Sequence, residues 1–330
     1  MRELGRWAGI AVVTIVLGAA ATEGSACAEE IVVSNYGVAA NGMPFAVAMA
    51  KGFFKEEGAD VTGIISSAGG GTTLRNMLAG NAPYAEVTPN AVIAAVQQGA
   101  GMKIVSDNVL TVAEFVWCVK PDSPIQTVKD LKGKKIGYTN PRSTSQGLAT
   151  LVLQAGGLKT EDAELVKTGG FGEGIAALDI ALVDVAPIPE PLWSKFQAKY
   201  RPIAKATDMI PPITNVVGVA ASEGAKGDFV RAVIRGRRRA VAFMEEKPDE
   251  AGDIIAKAYE LEPAVARSAV HNLIASRTGG IPYWGTGQIY LDGLKRAIEV
   301  QKMVGAISGE IDAASLVDTQ YLPDDIKALK

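Results

Sequence analysis

An α/β fold of two lobes is predicted for this chain, each lobe a mostly parallel sheet with helices on both faces, the two joined by a two-strand hinge. Three observations lead there. Short apolar runs alternate with helical patterns from residue 31 to about residue 221, and such alternation favours a parallel sheet covered by its crossover helices. The alternation falls into two series, the second starting near Pro121, and the segments between them, 114–120 and 215–221, are apolar and strand-like rather than flexible linkers. A chain of 330 residues is also too long for one ordinary core and comfortable for two.

The first series opens with a strand over 31–36, a helix over 45–57, a strand over 61–65 and a helix over 72–79. A strand over 84–88, a helix over 91–98 and a strand over 103–106 repeat the pattern. Length decides the ambiguous apolar runs, because short ones bounded by turn residues suit strands. The second series has a turn at Asp130-Leu131-Lys132-Gly133, a strand over 135–138 and a helix over 146–154 that ends at Gly156-Gly157. Strands over 164–167 and 181–185, a helical stretch over 191–199 and an extended one over 203–205 follow. From Asp228 onward the pattern is helical almost throughout. The expected organisation is a signal peptide at 1–28, one lobe built from 29–114 and 215–330, and a second lobe from 115–214.

The first residues point to export. Arg2 and Arg6 form a positive n-region, residues 8–21 are apolar and uncharged, and Ala26-Cys27-Ala28 fits a small-x-small cleavage site. The apolar stretch falls short of the roughly 20 residues that span a membrane. A lipoprotein anchored through Cys27 is the alternative, but Gly24 stands where such a signal usually carries Leu. After cleavage only Cys118 remains, so no intramolecular disulfide is available, and its apolar setting reads as a buried, inert thiol. The formal net charge of −3 is spread along the chain and suggests no nucleic-acid partner. Enzyme chemistry finds little support: His271 is the single histidine, no nucleophile elbow is present, and no His/Cys cluster offers a metal site or implies a cofactor. The basic cluster Arg231, Arg235, Arg237, Arg238 and Arg239 reads as a solvated helix face, with docking onto a partner as the alternative.

Two turns carry the functional signal. Ser66-Ser67-Ala68-Gly69-Gly70-Gly71-Thr72-Thr73 and Thr139-Asn140-Pro141-Arg142-Ser143-Thr144-Ser145 each follow a predicted strand and open a helix. The first N–H groups of a helix lack partners within it and carry partial positive charge, which makes such an end a seat for an anion. Ligands of open α/β sheets bind beyond the carboxyl ends of the strands. Those ends nominate Tyr36, Asn41, Ser67, Gly70, Thr72, Glu86, Thr88 and Asn90 from one lobe and Arg142, Ser143, Thr144 and Glu190 from the other. Arg142 offers a guanidinium that can grip an oxyanion with two bonds, while Ser143, Thr144 and Ser145 are each also good helix caps. Tyr36, Phe171 and Trp284 are candidate aromatic walls, Trp284 on an expected loop after Pro282-Tyr283, with core packing as the other reading. Alternation puts Tyr84, Glu86 and Thr88 on one strand face. Glu86 would contact a ligand donor or pair with a base, and its partner stays open. Asp184 is expected to cap local structure.

Gly52-Phe53-Phe54-Lys55-Glu56-Glu57-Gly58-Ala59-Asp60-Val61 resembles the first signature of the nitrate/sulfonate/taurine-type (SsuA/THI5-like, NMT1-like) solute-binding proteins of ABC transporters. Asp122-Ser123-Pro124-Ile125 with Val128-Lys129-Asp130-Leu131-Lys132-Gly133-Lys134-Lys135-Ile136-Gly137 is similar to the second. Ala177-Leu178, Val183-Asp184-Val185 and Glu190-Pro191-Leu192-Trp193 are similar to the third. The resemblance runs in order from about Tyr36 to Trp193 and implies a type II periplasmic binding fold. It implies a monomer in the periplasm that captures a small anionic or zwitterionic solute (sulfonate-, taurine- or carboxylate-like) and delivers it to an ABC permease in the inner membrane. The chain departs from the family at Gly80-Asn81-Ala82-Pro83-Tyr84-Ala85-Glu86, where many members carry Asp, and a carboxylate here would favour a zwitterion or polar neutral solute. The alternatives are a thiamine-precursor synthase-like enzyme of the same fold, whose cysteine-rich motif and active-site His are missing here, and a ligand sensor for a membrane receptor.

Overall fold

The computed structural model describes residues 29–222 and 226–326, so the expected signal segment lies outside the described residues. The chain begins with β1 (Glu29–Ser34), and α1 (Met43–Lys51) and α2 (Phe53–Glu56) return it to β2 (Val61–Ser67). α3 (Gly70–Ala79) leads to β3 (Ala85–Val87), and α4 (Pro89–Gln97) to β4 (Met102–Val109). β5 (Phe115–Val119) enters a second sheet, followed by β6 (Lys135–Tyr138), α5 (Thr144–Ala155), β7 (Glu164–Lys167) and α6 (Phe171–Asp179). β8 (Ala186–Pro189), α7 (Leu192–Phe196), β9 (Arg201–Lys205) and α8 (Ala206–Met209) complete that lobe. β10 (Val216–Ala221) re-enters the first sheet, and α9 (Gly227–Glu246), α10 (Pro248–Tyr259) and α11 (Pro263–Ala275) follow. A short hairpin of β11 (Arg277–Thr278) and β12 (Ile281–Pro282), then β13 (Trp284–Gly287) and α12 (Leu291–Met303), lead to the C-terminal 3-10 turns. Among the described residues no helix is long and apolar enough to cross a membrane.

The first sheet has the order β2-β1-β3-β10-β4-β13. β1 runs parallel to β2 and β3, while β10 runs antiparallel to β3 and β4. In the second lobe β8-β5-β9 and β6-β7 are joined through the parallel bridge Ile136–Val185, where Gly137 N donates to Val185 O at 2.8 Å, giving β7-β6-β8-β5-β9. In each sheet the strand that arrives from the other lobe runs against its neighbours: β5 in one, β10 in the other. It starts at the interlobe edge, where the parallel strands finish. Their carboxyl ends therefore face the opposite lobe, which is where an α/β sheet presents its ligands. One apolar core surrounds the first sheet and two adjoining ones the second. α12 straddles them, with Leu294 and Ile298 in the first core and Ala297 and Val300 in the second.

Several expectations are corrected. The helix over 45–57 is two helices, because Gly52 adopts φ 73° and ends α1 with a left-handed cap. The strand placed over 181–185 lies later, at Ala186–Pro189, since Ala181 turns left-handed (φ 57°) to close the loop after α6. The helical tail also contains β13, which adds an edge strand beside β4, so Trp284 sits in a strand rather than on a loop. Two- to four-residue strands like β11, β12 and β13 carry no periodicity to read. Asp184, expected to cap local structure, instead accepts from Lys135 N at 2.8 Å, a long-range bond to the start of β6, while Cys118 is buried as a free thiol.

The basic cluster on α9 divides. Arg231, Arg235, Arg238 and Arg239 end on Asp228, Glu57, Asp325 and the Glu56/Glu57 pair, as a solvated face would. Arg237 instead enters the first lobe and is 2% exposed. Its Nη1 and Nη2 donate to Gly285 O and Asn108 O, both at 2.6 Å, and its Nε approaches Glu86 Oε2 at 3.5 Å without hydrogen-bond geometry. Glu86, fully buried, accepts from Asn41 Nδ2 at 2.8 Å and Asn108 Nδ2 at 2.5 Å. Asn108 also donates to the Tyr84 hydroxyl and accepts from Ser106 Oγ. Burial pushes the Glu86 carboxyl up to about 7, against the opposing influence of Arg237, Asn41 and Asn108. Gly218 makes room for this network, because a Cβ there would lie 2.2 Å from Tyr84 Oη and 2.3 Å from Ser106 Oγ. Glu86 and Asn41, both expected at the ligand, are thus structural groups that face inward.

Replacing Arg237 by Met removes one partner of a buried charge pair, a loss of about 3–5 kcal/mol. Urea unfolding of Arg237→Met is expected to show that loss at pH 8 and a smaller one at pH 5, where Glu86 takes up a proton and no longer needs a cation. Equal losses at both pH values would mean that Arg237 acts through packing alone. Gly218→Ala is expected to cost about 1–3 kcal/mol by overpacking, read from the urea midpoint at unchanged slope.

Candidate functional site

The two turns singled out in the sequence meet across the lobes. On the first, Gly69 (φ 78°) caps α3 without a side-chain bond, so the first-turn N–H groups of Gly70, Gly71 and Thr72 have no acceptor within the helix and no side-chain cap. Gly70 has a packing reason as well: a Cβ there would come within 2.5 Å of Ala91 Cβ and 3.0 Å of Thr88 Oγ1, so its absence lets α3 close on α4. On the second turn, Ser143 caps α5 by accepting from Gln146 N at 3.3 Å. Ser145 Oγ accepts from Thr139 N at 3.0 Å and lies 2.8 Å from Thr139 Oγ1. These two serines are occupied in holding the turn. Arg142 takes the left-handed conformation (φ 63°), its N–H donates to Gln146 Oε1 at 2.6 Å, and its side chain is left exposed.

A cavity of about 680 Å³ lies where these turns meet. Its walls include Gly70, Gly71, Leu74 and Arg75 of α3, Thr88 at the end of β3, Asn90 and Ala91 of α4, and Arg142 from the opposite lobe. Ala94, Ala95, Ala100 and Ala306 add apolar surface to its lining. Two guanidiniums and an uncapped helix amino end thus share one concavity, and among the described residues no carboxylate lines it. A much smaller void of about 10 Å³ adjoins it on the seam between lobes, lined by Pro89, Asn90, Thr144, Thr214 and Gln301 among others. Asn90 lines both spaces, and its Oδ1 is buried without a hydrogen-bond partner.

The remaining expected residues scatter. Thr72 is half-buried and accepts from Arg75 Nη2 at 2.9 Å, which aims that guanidinium along α3. Ser67 is buried and accepts from Asn76 Nδ2 at 2.7 Å. Tyr36 packs edge-on against Tyr259 with ring centroids 5.4 Å apart, and burial pushes its hydroxyl above the usual range. Trp284 is 3% exposed and donates from Nε1 to Ala40 O at 3.1 Å, so it is a core residue rather than a pocket wall. Phe171 packs on Phe115 within the second core, at 5.6 Å between centroids, and is likewise not a wall of the cavity. Glu190 is buried on the interlobe seam, where Asn272 Nδ2 of α11 donates to Oε1 at 2.7 Å and Ser194 N to Oε2 at 3.0 Å. Burial raises its carboxyl above the ordinary range against those bonds. Both of its oxygens being taken, Glu190 ties the lobes rather than facing the cavity.

Sequence reasoning passed over Arg75 and Asn272. Arg75 was within reach, since residues three apart share a helix face and Thr72 was already nominated. Asn272 carried no local signal, because only the packing of α11 on α7 brings it to Glu190.

Residues 39–251 match the family described as NMT1/THI5 like. The riboflavin-binding protein RibY of Chloroflexus aurantiacus is 24% identical over 307 residues, covering 85% of this chain and 82% of that protein. Among solved structures, the periplasmic aliphatic sulphonate binding protein SsuA of Escherichia coli superimposes with a TM-score of 0.74 at 19% identity, covering 88% of this chain and 92% of that one. The desulfurization enzyme DSZB shares the fold too, with a TM-score of 0.64 at 14% identity over 89% of this chain and 97% of that one. The two-lobed α/β fold is therefore common to binding proteins and to an enzyme. With about two thirds of its length matched, the chain belongs to the NMT1/THI5-like family.

Proposed function

We propose that this protein is the solute-capturing component of an ABC importer, exported to the periplasm by a cleavable signal peptide, and that it takes a small organic anion between its lobes before presenting it to the permease. The observation that carries this reading is the cavity shared by Arg142 of one lobe and the uncapped amino end of α3 in the other. An anion seated there would gain charge-assisted bonds from both sides only when the lobes are together, so binding would favour closure.

The charge of the solute follows from the lining. With Glu86 withdrawn into the core, the charged side chains at the cavity among the described residues are Arg75 and Arg142. That favours an anion over the zwitterion suggested by the sequence. A volume of about 680 Å³ exceeds what an inorganic anion needs and suits an organic body, which the alanines of the lining would accept.

Two features favour capture over catalysis. His271 is exposed on α11 and pairs with Asp249 at 2.8 Å, away from the cavity walls. Cys118 is buried in β5, and burial drives its thiol far above the ordinary range, so it is a poor nucleophile. Relatives with binding roles in their names point the same way, since RibY is a riboflavin-binding and SsuA a sulphonate-binding protein.

A thermal-shift screen of sulfonates, carboxylates, aromatic acids, nitrate and flavins is expected to find an organic anion that raises the melting temperature. For that compound Arg142→Ala should weaken binding about 10- to 100-fold, the size of one charge-assisted contact. Titration calorimetry that finds unchanged affinity would remove Arg142 from the site. Small-angle scattering should show a smaller radius with the compound bound; stabilisation at constant radius would defeat the two-lobe clamp.

A further inference from the structure

Two buried acids lie at the hinge and play no part in the site described. Asp107 is in β4, and Glu114 immediately precedes β5; both belong to the arm that leaves the first lobe. Opposite them are Thr214 and Asn215, consecutive residues just before β10 in the returning arm. Thr214 Oγ1 donates to Asp107 Oδ2 at 3.2 Å, and Asn215 Nδ2 donates to Glu114 Oε1 at 2.6 Å. Each acid of one arm is thus tied to a neighbouring residue of the other. Tyr290 N adds a bond to Asp107 Oδ2 at 2.8 Å, fastening the pair to the segment before α12.

The remaining oxygens, Asp107 Oδ1 and Glu114 Oε2, are buried without a hydrogen-bond partner. Such an atom is tolerated far better on a neutral carboxyl than on a carboxylate. Among the described residues no cation compensates either group directly. Arg296 of α12 is engaged by Pro212 O and the Tyr290 hydroxyl, both at 3.1 Å. Arg237 is committed to Glu86 and two carbonyls. The Tyr283 side chain hydrogen-bonds Glu114 and, with Asn215, opposes the effect of burial on it, while its own hydroxyl is raised well above the ordinary range by burial and by the nearby Glu114, Glu86 and Tyr259. Glu190, whose N–H bonds to Glu114 O, has its own carboxylate taken by Asn272 and Ser194. Burial accordingly raises Asp107 to about 7 and Glu114 to about 8.

We propose that Asp107 and Glu114 form a proton-operated hinge pin: in their neutral forms they hold the two arms together with the lobes apposed, and on ionising they draw in water and favour an opened hinge. The sign follows from linkage. An acid raised in the apposed form and ordinary in an opened, hydrated form binds more protons when apposed. Its contribution is fully present below the ordinary carboxylate range and is lost as pH rises toward the raised value. The apposed-to-open ratio is expected to fall by about tenfold per pH unit for each acid through about pH 5–7, levelling above about pH 8. The inference adds a control to the clamp proposed above without depending on the solute's identity.

The test uses the purified protein with no solute added. Small-angle scattering from pH 5 to 9 is expected to show the radius growing with pH, while near-UV circular dichroism reports that both lobes stay folded. The double variant Asp107→Asn/Glu114→Gln keeps size and shape but cannot ionise, and its radius should be flat over the same range. A wild-type radius that stays constant from pH 5 to 8 overturns the proposal, as does a double variant that opens with pH like the wild type. Should the double variant fail to fold, the wild-type pH course alone decides. Because no solute is present, failure here leaves the capture reading untouched, and failure of the solute screen leaves the hinge result standing.

Discussion

The burial of Glu86 and Arg237 together inside the first lobe is the constraint on which the rest of that lobe depends. Neither charge reaches water. Each must therefore find partners in the protein: Asn41 before α1 and Asn108 on β4 serve Glu86, and the carbonyls of Asn108 and of Gly285 on β13 serve Arg237, with Tyr84 and Ser106 holding Asn108 and Gly218 on β10 leaving the gap in which they meet. Removing water from a charge costs several kcal/mol, repaid only by good geometry. A sheet with another register would strand one of these groups, so the pair acts against wrong strand pairings as much as for the right one. Phe45, whose ring lies 5.7 Å from the Arg237 guanidinium, extends the same cluster into α1.

The position of the cleft follows from chain topology. Each lobe receives one strand from the other, and that strand must run away from the interlobe edge. All parallel strands then end at that edge, and the turns that follow them are assembled face to face. This is why α3 and the Arg142 turn, about seventy residues apart in sequence, line one cavity. The same crossing brings the two connecting arms side by side, so that Asp107 and Glu114 lie against Thr214 and Asn215. Site and hinge are two consequences of one connectivity.

Much of this was legible in the residues. The alternation of apolar runs and helical patterns identified the α/β class, and the Gly- and Ser-rich turns at Gly70 and Ser143 pointed to helix amino ends because few other compositions suit those backbones. Strand alternation correctly grouped Tyr84 with Glu86. It could not say whether that face met solvent or α9, and the carboxylate that seemed to argue about solute charge is a core group. Trp284 was misplaced for a related reason, since a short edge strand leaves no period in the sequence and its burial depends on Ala40 lying across from it. Glu190 was found at a strand end, but its partner Asn272 comes from a helix about eighty residues later.

By itself the sequence determined the local structure: which runs extend, which coil, where glycine permits a left-handed turn, and where unpaired helix N–H groups occur. Those properties depend on residues within a few positions of one another, and backbone sterics and short-range hydrogen bonds settle them. Only the tertiary structure decided which charges face the cavity and which are sealed in the core. Burial and pairing are set by elements far apart along the chain, and the same carboxylate is a ligand contact or a structural pin according to what packs over it.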